Sequence, residues 1–228
     1  TLHNTLFPYT TLFRSIRGVL DGKSPTHTLD ITTPERDAFL DTLLATLPEE
    51  FAEHARVQFC SPAGTDAVEA SLKLLQTATG RRDVLAFRGA YHGMTAGSLA
   101  LMGDTAPREH VAVPGNVHHL PYPYDYRPPL GIGGEAEHRA LASQVESLLA
   151  DPLSGVERPA AMVVEPVQGE GGSIPAPDAW LREMRRITRE HDVPLVVDEI
   201  QSGVGRTGEM YAFERAGIVP DVVLLSKA

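Results

Sequence analysis

The chain has 228 residues, 42% of them hydrophobic, and a formal net charge of −10, so it can bury a sizeable core and lacks the basic surface that nucleic-acid binding requires. Its one cysteine, Cys60, excludes an internal disulfide framework, and no cysteine or histidine pair has zinc-site spacing, so we expect no metal. The absence of a signal peptide and of an apolar run of membrane-spanning length predicts a cytoplasmic protein without a membrane partner.

The first residues differ in composition from the rest of the chain. Residues 5–15 read "TLFPYTTLFRS", which resembles the translation of a DNA-sequencing adapter, so we expect residues 1–15 to be a non-native segment. A native strand is the alternative interpretation. Residues 16–50 are predicted to be an N-terminal helical segment, because apolar residues recur at helical spacing from Phe39 to Leu47, just before Pro48.

Residues 51–228 are predicted to form one larger, incomplete domain. A helix is expected from about Gly64 to Gly80, followed by a short strand at 83–87. Residues 103–134 are rich in proline, glycine, histidine and tyrosine and show neither helical nor strand periodicity. We interpret them as an ordered, irregular loop of the kind that is usually functional. A further helix is expected at 135–150.

Three apolar runs in the second half of the chain predict a parallel sheet. They read "AAMVVEP" at 160–166, "VPLVVDE" at 193–199 and "PDVVLLSK" at 220–227, and a helix is expected at 178–191. Strands that are apolar on both faces are typically buried between helix layers. The fold class is therefore predicted as α/β, a mostly parallel sheet with helices on both faces.

Each of these runs ends in a charged residue, Glu165, Asp198 or Lys227. In open parallel sheets, ligands bind beyond the carboxyl ends of the strands. Asp198 and Lys227 are separated by about one βαβ unit, so both can face one crevice. Taken singly, each is more often a solvated charge that ends a strand. Together, a carboxylate and an amine predict a shared ligand.

Two further motifs supply complementary chemistry. The block "SPAGTDAVEA" places Gly64 and Thr65 at a helix start, where N–H groups and a hydroxyl can hold a phosphate or form an ordinary N-cap. Tyr91 in "AYHGMT" can stack on a planar ligand or simply pack in its loop. Pyridoxal phosphate requires all these groups, since a lysine forms its Schiff base and an aspartate keeps its ring nitrogen protonated.

The same blocks resemble the class III pyridoxal-phosphate aminotransferases of fold type I, from about Thr26 to Ala228. The resemblance implies phosphate binding by Gly64 and Thr65, ring stacking by Tyr91 with His92 beside it, ring-nitrogen pairing by Asp198, contact with the phenolic oxygen by Gln201, and the Schiff base at Lys227. In "EPVQGEGG", Glu170 matches a position that pairs with an arginine and gates access of α-carboxylates, and Glu165 is assigned a supporting role.

Within the family, the blocks "QFCSPAGTDAVEA" and "LPYPYDYRPPLGIGGEAE" are most similar to diaminobutyrate:2-oxoglutarate 4-aminotransferases. That resemblance implies a homodimer with reversible, ping-pong transfer of the 4-amino group of L-2,4-diaminobutyrate to 2-oxoglutarate, giving aspartate 4-semialdehyde and glutamate. The alternatives are ectoine-type diaminobutyrate, ornithine or 4-aminobutyrate transaminases. The family pattern continues beyond Lys227 into a C-terminal small domain, so we expect these 228 residues alone to have little or no activity.

Two hypotheses from other classes remain. In "GVGRTG", Gly203, Gly205 and Gly208 match the G-x-G-x-x-G of dinucleotide-binding loops, and Asp221 lies near the position of a ribose-binding acid. However, "DEIQ" separates the apolar strand from these glycines and no clear long helix follows them, which favours a turn that leaves the site. The other hypothesis is a non-catalytic fragment that associates with a partner chain.

Overall fold

The computed structural model describes residues 8–23 and 32–227, and contacts divide the chain into two compact units, Thr1–Val57 and Gln58–Ala228. The first unit contains helices α1 (Pro8–Asp21), α2 (Pro34–Leu44) and α3 (Glu49–Ala52). Thr33 caps α2, because its hydroxyl accepts a hydrogen bond from the Arg36 N–H. The helical spacing predicted in this part of the chain is found in α2, where Leu40, Leu43 and Leu44 are half-buried.

The adapter-like segment falls partly outside the described residues, since residues 1–7 are not among them. From Pro8 onward the segment belongs to α1, so the alternative interpretation of a strand is wrong for that part. The non-native origin of residues 1–15 stays a prediction.

The second unit contains a five-stranded sheet and a short hairpin. The sheet strands are β1 (Val84–Phe87), β2 (Val117–Leu120), β3 (Ala161–Val164), β6 (Leu195–Asp198) and β7 (Val222–Leu224). Strands β4 (Val167–Gln168) and β5 (Ile174–Pro175) form the antiparallel hairpin. The sheet order is β2-β1-β3-β6-β7 and every neighbouring pair is parallel. The predicted α/β class with a parallel sheet is confirmed.

Helices connect these strands. They are α4 (Gly64–Thr79), α5 (Ala96–Leu101), α6 (Gly134–Ala150) and α7 (Asp178–Glu190). Helix α4 ends where predicted, at Gly80, whose φ of 68° lies in the left-handed region that glycine adopts readily. The helices expected at 135–150 and 178–191 are confirmed as α6 and α7.

The two faces of the sheet are covered by different helices. Buried side chains of α4 at one-turn spacing, such as Val68 and Leu72, pack with Ala86 in one core cluster. Because successive strand residues point to opposite faces, Phe87 lies on the other side, where its ring is 5.2 Å from that of Trp180 in α7. Helix layers on both faces explain why the strands are apolar throughout.

The interpretation of residues 103–134 as wholly irregular is wrong in two places. Residues 106–108 form a 3-10 turn, and β2 adds an edge strand parallel to β1. The sequence of β2, "VHHL", carries two histidines and is only partly buried, so it shows neither the continuous apolar run of a central strand nor clean alternation.

Candidate active site

A cleft of about 250 Å³ opens at the carboxyl ends of β3, β6 and β7. Of the residues that the sequence predicts for the site, Glu170 alone does not line this cleft. The others do: Gly64, Thr65, Tyr91, His92, Glu165, Asp198, Gln201 and Lys227. The parallel sheet brings these positions to one edge, because the loop after each strand emerges on the same side.

The start of α4 forms one wall of the cleft. A Cβ placed on Gly64 would lie 2.8 Å from Cγ2 of Ile200, closer than Cβ atoms approach other atoms, and would make a tight contact of 3.2 Å with Cβ of Ser226. Glycine at this position therefore lets the helix approach the ends of β6 and β7. The first N–H groups of α4 have no partner within the helix and lie at the positive end of its dipole, so they can bind an anion.

Beside this helix start lies a hydroxyl cluster, which we define as Thr65, Thr95 and Ser98 around the carboxylate of Glu69. The Thr65 hydroxyl is 2.8 Å from that of Thr95 and 2.7 Å from that of Ser98. Glu69 accepts hydrogen bonds from the Thr95 hydroxyl at 2.5 Å and from the Gly97 and Ser98 N–H groups at 2.6 and 3.1 Å. Glu69 thus ties the start of α5 to α4.

Sequence reasoning missed Glu69, Thr95 and Ser98. One signal was available, because Thr65 and Glu69 are four residues apart and so share a face of α4. No such signal was available for Thr95 and Ser98, because Thr95 lies in a loop 30 residues after Thr65.

The cleft is also lined by an acid–histidine cluster, which we define as Glu165, His92 and Asp198. Nδ1 of His92 donates to Oδ2 of Asp198 at 2.7 Å, and the other carboxylate oxygen accepts from the Ile200 N–H at 3.0 Å. Both side chains are buried. Burial opposes the charged imidazolium, but the hydrogen bond to Asp198 and the nearby carboxylates outweigh it and raise the pKa of His92.

Glu165 completes this cluster. Burial raises the pKa of its carboxyl group to about 7, and nearby Asp198 acts in the same direction, while His92 and the N–H groups of Tyr91 and Gly169 oppose the rise. The Tyr91 N–H lies 3.4 Å from Oε2 of Glu165. The sequence predicts His92 beside the ring of a bound cofactor. In the structure, His92 also forms a hydrogen bond within the chain, to Asp198.

The amine of Lys227 is held by Gln201. Nζ donates to Oε1 of Gln201 at 2.6 Å, and both side chains line the cleft. Lys227 has a φ of 46°, which is uncommon for a residue with a side chain. Unusual backbone torsions are often retained at functional positions, because the surrounding structure must hold them.

Glu170 is the one predicted site residue that the structure leaves away from this cleft. Its side chain is exposed, and it follows Gly169 in the turn between β4 and β5. Its proposed pairing with an arginine stays a prediction.

The glycine-rich segment 203–208 forms turns after β6. Its start is tied back to the strand end, because the Gly203 N–H donates to the carbonyl of Glu199 at 2.9 Å. The buried carboxyl of Glu199 accepts hydrogen bonds from the Ser202 hydroxyl and from the Phe213 N–H, and burial raises its pKa to about 7.

Asp221 lies at the start of β7, at the far end of the sheet, and pairs with Arg185. The segment therefore lacks the helix and the acid of a dinucleotide site.

Two features are absent from the part of the chain that the structure describes. No group of three or more histidine, cysteine, aspartate and glutamate side chains is arranged to hold a metal ion. Among the same residues, no helix is both long enough and apolar enough to cross a bilayer.

The chain is similar to known aminotransferases over most of its length. Residues 22–228 match the family "Aminotransferase class-III". The chain is 55% identical over 219 residues to a diaminobutyrate--2-oxoglutarate aminotransferase of Rhizobium meliloti strain 1021, covering 95% of this chain and 46% of that protein. A protein of the same name from Haemophilus influenzae is 46% identical, with 95% and 47% covered. The chain thus spans about half the length of the curated relatives it matches.

The fold also matches solved transaminases. The structure of an amine transaminase from an uncultivated Pseudomonas species, in its PLP-bound form, superposes with a TM-score of 0.84 at 31% identity, covering 98% of this chain and 50% of that one. An (S)-enantioselective omega-transaminase from Thermomicrobium roseum superposes with a TM-score of 0.83 at 26% identity, with 95% and 49% covered.

Proposed function

The chain belongs to the class III aminotransferases, and we propose that the protein transfers the 4-amino group of L-2,4-diaminobutyrate to 2-oxoglutarate. The cofactor is pyridoxal phosphate, which one of the similar solved structures carries. The names of the two curated relatives support the choice of donor and acceptor. The observation that carries the proposal is that Lys227, Asp198 and the start of α4 line one cleft.

The residues of the cleft fit this cofactor chemically. Anion-binding N–H groups at Gly64 and Thr65 suit a phosphate, the carboxylate of Asp198 suits a protonated ring nitrogen, and Tyr91 offers an aromatic face. When bound, pyridoxal phosphate supplies an aldehyde that combines with amines and a ring that withdraws electrons from the reacting carbon.

Asp198 is the residue that orients the ring and keeps its nitrogen protonated. Its carboxylate is buried and already accepts hydrogen bonds from His92 and from the Ile200 N–H. Each carboxylate oxygen has a further lone pair, so it can accept one more donor from the cleft side. His92 and Ile200 hold the carboxylate in place before any ligand arrives, which lowers the cost of orienting it.

Lys227 is the residue that moves protons. Lys227 lines the cleft, where its Nζ can take a proton from the amine-bearing carbon of the donor and, in the second half of the cycle, supply one to carbon 2 of the acceptor. Gln201 accepts a hydrogen bond from this amine and so restricts its position. Ile200 and Met94 contribute apolar surface to the cleft, which limits water beside the reacting groups.

We further propose that the protein acts as a homodimer in the cytoplasm. The family resemblance supports the dimer, and the single, free and exposed cysteine Cys60 supports a reducing compartment. Light scattering of the protein expressed from its complete reading frame should give the mass of two chains. A fully active monomer would contradict this part of the proposal.

The activity is tested with protein expressed from the complete reading frame that contains these residues. With pyridoxal phosphate and 2-oxoglutarate, diaminobutyrate should yield glutamate faster than ornithine or 4-aminobutyrate at equal concentration. Lys227→Ala should abolish both turnover and the visible absorbance of the bound cofactor, while Lys73→Ala, on the exposed side of α4, should change neither. Faster turnover with ornithine or 4-aminobutyrate would refute the choice of donor, and cofactor absorbance that survives Lys227→Ala would refute the role of the lysine.

A further inference from the structure

We propose that Gly169 is a positioning residue, because the lack of a side chain there makes room for the Gln201 amide, which in turn holds the amine of Lys227. The inference rests on the proposed function only in treating Lys227 as the reactive amine. The contacts that carry it belong to the chain itself.

The space at Gly169 is already filled by Gln201. A Cβ built on Gly169 would lie 2.4 Å from Nε2 and 2.6 Å from Cδ of Gln201, both well inside the closest approach that Cβ atoms make. Unlike Gly172, whose φ is 128°, Gly169 does not have a φ in the left-handed region. Its backbone conformation therefore suits any residue, and the requirement for glycine is one of space.

The other end of the same amide contacts Lys227. Oε1 of Gln201 accepts a hydrogen bond from Nζ of Lys227 at 2.6 Å. The amide is thus held between the backbone at Gly169 and the lysine amine. Since the amide group is planar and rigid, a displacement of Nε2 also displaces Oε1.

A side chain at position 169 must displace either the backbone of its own turn or the Gln201 amide, and the Gln201 amide is the one that moves. The carbonyl of Gly169 accepts hydrogen bonds from the Gly172 and Ser173 N–H groups at 3.1 and 3.0 Å, which closes the turn between β4 and β5. Gln201 is exposed and reaches the glycine with the end of a flexible side chain. A methyl group at position 169 therefore pushes the amide aside at little cost to the fold and frees the amine.

The test uses the full-length protein freed of cofactor, and it measures how fast an amine-reactive acetylating reagent modifies Lys227, by mass spectrometry of its peptide. Gly169→Ala should raise this rate about threefold to tenfold, the range that loss of one hydrogen bond produces. Gly115→Ala is the matched control, because a Cβ there meets nothing within 4 Å. In the Gly115→Ala variant, Lys227 should be acetylated at the same rate as in the unmodified protein.

A double substitution separates the proposed route from a general disturbance. Gln201→Ala should raise the labelling rate as much as Gly169→Ala does, and the double variant should be no faster than either, because both remove the same contact. An unchanged rate in Gly169→Ala would overturn the proposal, as would an added effect of Gly169→Ala in the Gln201→Ala background. Labelling does not require turnover, so a failure of the proposed activity would be seen separately.

Discussion

Two side-chain clusters at the cleft are built from different chemistry. The hydroxyl cluster holds its shape with neutral hydroxyl and N–H donors around one carboxylate, Glu69. The acid–histidine cluster instead buries three ionisable side chains together and shifts the pKa values of Glu165 and His92 upward. The stability of the acid–histidine cluster should therefore respond to pH, because groups whose pKa values shift on folding couple folding to proton uptake.

The largest expected effect tests the charge in the acid–histidine cluster. Asp198→Asn removes the carboxylate that pairs with His92 and is proposed to pair with the cofactor ring. Turnover should fall about 100-fold to 1,000-fold, the scale of losing one preorganised electrostatic contact. The measurement is kcat with diaminobutyrate in the full-length protein. Asp221→Asn, which alters a carboxylate at the far end of the sheet, should leave kcat within about twofold, and equal losses in the two variants would refute a specific role for Asp198.

The second-largest expected effect is a change in how the unfolding free energy depends on pH. A carboxyl whose pKa rises on folding, from 4.5 to about 7 in Glu165, binds its proton more tightly in the folded state. Its contribution to stability is full below about pH 4.5 and is lost as pH rises to about 7, a loss on the order of 3 kcal/mol. Glu165→Gln should therefore show a shallower fall in unfolding free energy across that window in urea titrations. Glu199, whose pKa burial also raises to about 7, should supply slope that remains in this window, whereas His92, whose pKa is raised from an ordinary value near 6.5, should add its fall only at higher pH.

The control for that experiment is Glu170→Gln, because Glu170 is an exposed glutamate in the turn between β4 and β5. Its unfolding free energy should follow the same pH dependence as the unmodified protein. An unchanged pH dependence in Glu165→Gln would show that Glu165 does not couple folding to protonation.

The smallest effect belongs to the hydroxyl cluster. Glu69→Gln replaces a charged acceptor of three hydrogen bonds by a neutral amide and should lower the unfolding free energy by about 1–2 kcal/mol. Glu135→Gln, in the exposed first turn of α6, should cost less than about 0.5 kcal/mol. A loss in Glu69→Gln no larger than that in Glu135→Gln would show that the hydrogen bonds to Glu69 do not stabilise the hydroxyl cluster.

Much of the sheet could be predicted, because β3, β6 and β7 are apolar on both faces and each is followed or closed by a charged residue. The edge strand β2 could not, since "VHHL" is stabilised by pairing with β1 and not by its own pattern. Helix α2 could also be predicted, because its apolar residues recur at helical spacing, and Leu40, Leu43 and Leu44 are half-buried in the structure.

By itself, the sequence determined which residue types stand at the strand ends and helix starts: Glu165, Asp198, Lys227 and the pair Gly64 and Thr65. Short-range periodicity and turn chemistry are enough for that, because they depend on neighbours within a few residues. Only the tertiary structure decided which of these groups touch. His92 meets Asp198 across 106 residues, and Lys227 meets Gln201 across 26. Such contacts, like the space that Gly169 leaves for an amide, arise from packing between distant segments, which local pattern does not encode.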